Sequence, residues 1–114
     1  MLNEITEFIL KYGKFAEEER TRFVVSKHLE YDTYVLLRDN ENKIVAFAGF
    51  DIKNRTAKVL RTVVRPDFRG KRILKLLVYM SKIKFPFLEF LYFERDKYPG
   101  KKQRLYNIDK FLKR

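Results

Sequence analysis

"VVRPDFRGKRILKLLV", residues Val63 to Val78, is the stretch on which the fold turns. Its β-branched start ends at Pro66, Arg69, Lys71 and Arg72 cluster around Gly70, and an apolar pattern at helical spacing begins at once. Strand, short basic loop and helix start is one way in which a chain holds a phosphate, because helix-opening N–H groups and the helix dipole face the anion. The plainer reading is a strand-to-helix corner with solvated charges.

Downstream, Ile73, Leu76, Leu77, Met80 and Ile83 make one apolar stripe, which predicts a helix from about Lys71 to Lys84. After Pro86, "FLEFLYFER" reads as a strand. Strand, helix, strand favours a parallel pair joined by a right-handed crossover. Upstream, "TYVLLRD", "IVAFAGFDI" and "AKVLRTVVRP" are separated only by the turns "NENK" and "KNRT", which implies an antiparallel meander. The middle strand is apolar on both faces, as a covered central strand is. Residues 2–12 fit an amphipathic helix stopped at Gly13, and a second helix is expected over Phe15 to Lys27, with Glu17, Glu18 and Glu19 in its first turn and His28 at its end. A last helix is expected from about Lys102. The order is ααβββαβα: one α/β domain over residues 1–114, a mixed sheet covered by helices.

Composition limits the chemistry. Without cysteine there is no disulfide, thiol nucleophile or cysteine-based zinc site, and a single histidine makes no metal cluster. Glu4 and Glu7 interrupt the first apolar pattern, so no signal peptide is expected, and no apolar run approaches 18 residues. These features predict a soluble, cytoplasmic protein without membrane association. The net charge is +11, and its placement is uneven. Met1 to Ala57 holds nine Lys/Arg against ten Asp/Glu, and Lys58 to Arg114 holds seventeen against five. The excess lies in the half that contains the opening motif, where it would attract a polyanion or a phosphorylated cofactor.

Together, the element order, the loop and the tail resemble the GNAT acetyltransferases. Val64, Pro66, Phe68, Arg69 and Gly70 match the family's "V-x-P-x-[YF]-R-G" junction, and Tyr106 precedes Phe111 by five residues, like the family's C-terminal tyrosine and phenylalanine. The resemblance covers about Thr33 to Phe111. It implies an acetyl-coenzyme A-dependent N-acyltransferase acting on an amine-bearing small molecule or protein. It assigns the cofactor's pyrophosphate to Arg69, Gly70, Lys71, Arg72, Ile73 and Leu74, its pantetheine arm to Thr62, Val63 and Val64, and proton donation to the leaving thiolate to Tyr106, since phenol and thiol pKa values lie close together. It also implies that the third and fourth strands run parallel and splay near Val64 and Phe93.

The sequence departs from the pattern where Arg72 and Leu74 replace small residues and Lys110 replaces the glycine before Phe111. The family's final two strands are expected to be missing. Those departures keep a second reading open, a catalytically inactive GNAT-fold protein with a binding or structural role, as in a phage or mobile element. A basic nucleic-acid-binding protein is a third, although no nucleic-acid motif appears. The third strand has no carboxylate to act as general base; Glu17 to Glu19, Glu89 and Glu94 are the candidates elsewhere. Acceptor and oligomeric state are left open.

Overall fold

The computed structural model describes residues 1–14, 16–70, 72–93 and 104–113. Helices α1 (Leu2–Tyr12) and α2 (Glu18–Tyr31) precede strands β1 (Tyr34–Arg38), β2 (Ile44–Lys53) and β3 (Thr56–Val64). A single 3-10 turn (Pro66–Phe68) leads into α3 (Ile73–Lys84), then β4 (Phe90–Phe93), β5 (Arg104–Asn107) and α4 (Ile108–Leu112). The sheet order is β1-β2-β3-β4-β5, and among the described residues only β3 and β4 run parallel. This is the mixed sheet covered by helices that the sequence implies.

The sheet separates two cores. One side packs Ile5, Phe8 and Ile9 of α1 and Val25 of α2 against Phe47 and Val63. The other packs Ile73, Leu77 and Val78 of α3 and Ile108 of α4 against Ala46, Ala48, Ala57 and Leu91. β2 lies between them, and Ile44 to Phe50 are all buried. That is why its apolar residues do not alternate with polar ones.

The tail differs from expectation. The helix expected from about Lys102 begins only at Ile108, while Arg104–Asn107 pair with β4 antiparallel as a fifth strand. Asn107 separates the two elements: its side chain accepts the Lys110 N–H at 3.1 Å, an N-cap. The expected starts at Phe15 and Lys102 lie outside the described residues.

Helix α2 also runs further than expected, to Tyr31, and ends where Asp32 adopts a left-handed conformation at φ 55°. His28 still falls in the last turn, as expected, and its C=O accepts the Asp32 N–H. It is buried inside α2, with Nδ1 2.9 Å from Thr33 Oγ1 and Nε2 against Gly49, where β2 approaches so closely that a Cβ would collide with the ring. Gly49 is the residue at this crossing because only a hydrogen fits.

Burial holds the His28 pKa below its ordinary value, opposed by the Thr33 hydrogen bond and the Asp51 charge. A histidine with a depressed folded pKa stabilises the protein above the unfolded pKa, and the stability is lost as pH falls below about 6.5. Urea denaturation should show that loss between neutral and mildly acid pH, and His28→Gln should flatten it. Gly49→Ala should cost about 1–3 kcal/mol by overpacking, with part of the loss recovered in a His28→Ala background.

Candidate functional site

The site follows from how β3 is paired. On one side, β3 pairs with β2 along its length, with a bulge: Gly49 faces Arg61 and Phe50 faces Val59, so Leu60 is the extra residue. On the other side, β3 pairs with β4 only from Thr56/Phe90 to Val59/Phe93. Beyond Val59, no strand among the described residues covers that edge.

Alternation decides which groups are left facing outward. Arg65 N–H donates to Val45 C=O at 2.8 Å, so the opposed pair Val45/Arg65 is hydrogen-bonded, and so in turn are Phe47/Val63 and Gly49/Arg61. Thr62 and Val64 fall between them and turn their N–H and C=O groups away from β2. Val63, expected with them, turns its backbone to β2 and its side chain into the core.

Two arginines shape the loop that follows. Arg65 forks onto Asp67, with Nε to Oδ1 at 2.7 Å and Nη2 to Oδ2 at 3.0 Å, reaches Asp39 at 3.1 Å, and lies over the Phe68 ring at 5.1 Å. That bidentate geometry stiffens the 3-10 turn. Arg69 donates from Nε to Val64 C=O at 2.9 Å and from Nη2 to Tyr12 C=O at 3.2 Å, and its backbone N–H reaches Pro66 C=O at 3.3 Å. Its guanidinium therefore ties the end of β3 to the C-terminus of α1, where a cation also meets the negative end of the helix dipole.

Gly70 (φ 80°) and Arg72 (φ 59°) are both left-handed, and α3 starts at Ile73. Around Gly70 a Cβ would meet nothing within 4 Å, so glycine serves the backbone angle and the space beside it is open. Among the described residues no side chain caps α3, and no acid stands in its first turn. The N–H groups of Ile73 and Leu74 have no intrahelical acceptor. Ile73 is buried, whereas Leu74 is 41% exposed, so Leu74 projects outward and does not fill the core. Lys71 and Glu94 lie outside the described residues. Thr62, Val64, Gly70, Arg72, Ile73 and Leu74 are thus brought to one end of the sheet: outward strand amides, an open glycine turn and an uncapped helix start.

Tyr106 is not brought there. It sits on β5, where the register sets it level with Leu91 and, through β4, with Ala57. Thr62 is five residues further along β3 and two strands away, about 15 Å along the sheet and about 10 Å across it. The Tyr106 ring instead makes edge contacts with Phe93 at 5.7 Å and Phe111 at 5.6 Å. The spacing of tyrosine and phenylalanine thus belongs to an aromatic cluster spread over a strand and a helix, where one helix was expected. A groove of roughly 320 Å3 lined by Val35, Leu36, Met80, Ile83 and Lys84 lies beside the edge strand β1, apart from this site.

Sequence reasoning missed the bulge at Leu60, the bridging role of Arg69, and Arg61. No residue type marks the bulge in "KVLRTVV". Arg61, at an inward position beside Val63, was a visible signal, because an arginine on a core-facing position needs a reason. Burial lowers its pKa, and among the described residues its Nη2 reaches only Lys14 C=O, at 3.4 Å.

Comparison with known proteins agrees with this geometry. The profile of the Acetyltransferase (GNAT) family matches residues 2–83. The chain belongs to the GNAT family. It is similar to a GNAT family N-acetyltransferase from Escherichia coli solved in complex with CoA, at 13% identity and a TM-score of 0.68, with 97% of this chain and 78% of that chain covered. It is also similar to the ribosomal-protein-S18-alanine N-acetyltransferase from Escherichia coli, at 16% identity and a TM-score of 0.62, covering 87% of this chain and 63% of that one. A GNAT family acetyltransferase from Brucella melitensis in complex with acetyl-CoA matches at 9% identity and a TM-score of 0.62, over 93% and 80% of the two chains. No curated protein matches the sequence. No helix among the described residues is long and apolar enough to cross a membrane.

If Arg69 is a tie and Arg72 an exposed charge, the two should separate in stability. Arg69→Gln should cost about 1 kcal/mol for its lost hydrogen bonds, while Arg72→Gln should stay within about 0.5 kcal/mol of the parent. Urea denaturation of the two variants checks the ranking.

Proposed function

We propose that the protein is an acetyl-coenzyme A-dependent N-acyltransferase acting on an amine. The observation that supports this most is the open end of β3, where Thr62 and Val64 turn backbone donors and acceptors outward beside the uncapped start of α3. A long ligand with amides in its middle and phosphates at one end fits that combination. The extended arm would pair with the strand edge as another strand does, and the phosphates would take the N–H groups of Ile73 and Leu74, with Arg72 adding charge.

Acetyl-coenzyme A would supply an acetyl group activated as a thioester. The chain's own part is positional. Arg65 and Arg69 hold the loop between β3 and α3, and Thr62 and Val64 offer fixed hydrogen-bonding groups that need no rearrangement on binding, which is how binding geometry lowers a barrier. No described carboxylate stands on β3, so the acceptor amine would lose its proton to solvent.

One observation favours a second reading, cofactor binding without turnover: Tyr106, the expected proton donor, stands level with Ala57 and away from Thr62. Calorimetry with acetyl-coenzyme A, followed by thiol release in the presence of amines, separates the two. We expect binding that weakens as salt screens the phosphates, amine-dependent thiol release, and no change in turnover for Tyr106→Phe. Leu74→Ala should bind the cofactor more tightly, because an exposed bulk beside the helix-opening amides is removed at little cost to the core. Binding without thiol release for any amine would leave the second reading, and no binding by either protein would end the first.

A further inference from the structure

Arg61 occupies a position that the cofactor reading leaves without a role. The bulge at Leu60 keeps Ala57, Val59 and Val64 on the α3 face of the sheet and turns Lys58 and Arg61 to the face covered by α1 and α2. At the open end of β3, past Val59, the chain therefore places Arg61 on the side opposite the phosphate loop. Arg61 lies beneath the turn after α1: Nη2 reaches Lys14 C=O at 3.4 Å, and Nη1 is buried 3.5 Å from where a Cβ on Gly13 would stand, with no hydrogen-bond partner among the described residues.

A buried guanidinium N–H without an acceptor is unusual, since such groups are nearly always paired. No carboxylate among the described residues pairs with Arg61. Desolvation is also the one cause that lowers the Arg61 pKa, with no neighbouring charge in compensation. A planar donor fork in these surroundings matches a carboxylate or phosphate. The residue as a whole is partly exposed, but Nη1 lies beneath the turn at Gly13 and Lys14, so an anion reaches it only when that turn shifts aside.

If the activated acyl group lies along the outward edge of Thr62 with its phosphates on the α3 side, the amine approaches from the α1/α2 side, where Arg61 stands. We propose that Arg61 is a specificity residue for the acceptor, and that the acceptor is an amine carried on an anionic molecule, the guanidinium taking its carboxylate or phosphate. The inference rests on the acyltransferase reading. It disfavours polycationic acceptors, which would meet Arg61 as a like charge.

The test compares matched acceptors at constant ionic strength: β-alanine against β-alaninamide for a carboxylate, 2-aminoethyl phosphate against ethanolamine for a phosphate, and spermidine as the polycation. Thiol release in the full-length protein should give at least one anionic member a kcat/KM about tenfold above its neutral partner, the size of one charge-assisted contact. Arg61→Gln should remove that preference through KM, leaving kcat for the neutral amines and the acetyl-coenzyme A Kd unchanged, while Arg61→Lys should retain part of it. Which pair responds tells carboxylate from phosphate. A spermidine preference, equal use of charged and neutral members, or a preference that survives Arg61→Gln would overturn the proposal. Titration of acetyl-coenzyme A alone reports on the acyltransferase reading independently. If thiol release is absent, calorimetric Kd values for the same pairs with coenzyme A bound decide in the same way, and failure of both anionic members to bind overturns it.

Discussion

The structure depends on one backbone constraint: every buried N–H and C=O must find a partner, and β3 finds them on one side only past Val59. A strand in the middle of a sheet is ordinarily paired on both edges. Here the parallel partner ends at Phe93, within the described residues, while β3 runs on to Val64. The bulge at Leu60 adds local twist just where the ladder stops. The outcome is a sheet whose centre carries an open edge, flanked on one face by a helix start and on the other by Arg61. Each candidate role discussed above is a consequence of that interrupted ladder.

Charge is organised around the same place, and its use is more structural than the net value of +11 implies. Arg65 is a three-point brace for the turn, Arg69 joins β3 to α1, Arg38 pairs with Glu4 and Arg55 with Glu89. Exposed pairs of this kind contribute little each to stability, but Arg65 and Arg69 work through backbone and bidentate contacts that define geometry. The positive charge facing solvent at the site is carried by fewer residues, Arg72 among them.

Much of the fold was legible because the signals were local. Helix α1, the meander and α3 follow from apolar spacing bounded by Gly13, Asn54 and Pro66, and the parallel β3/β4 pair follows from the crossover rule. The errors came where a tertiary partner decides. "RLYN" and "IDKFL" together satisfy a helical pattern, and only pairing with β4 makes the first of them a strand. That single change moves Tyr106 from a site to an aromatic cluster. Likewise, "KHLEY" stays helical to Tyr31 because α2 packs on the sheet, so the helix ends four residues later than expected and the histidine of its last turn is buried. The turn and helix start after β3 were legible too, but no sequence pattern states that the Arg69 guanidinium will reach a carbonyl 57 positions away.

Residue-resolved amide hydrogen exchange tests the interrupted ladder directly. In the free protein, Val63 and Arg61 N–H, turned to β2, should be strongly protected, while Thr62 and Val64 N–H should exchange orders of magnitude faster although they lie within the same strand. Adding acetyl-coenzyme A should slow Thr62 or Val64 selectively. Uniform protection across Arg61 to Val64 in the free protein would mean that the edge is already paired, and would contradict the account at its base.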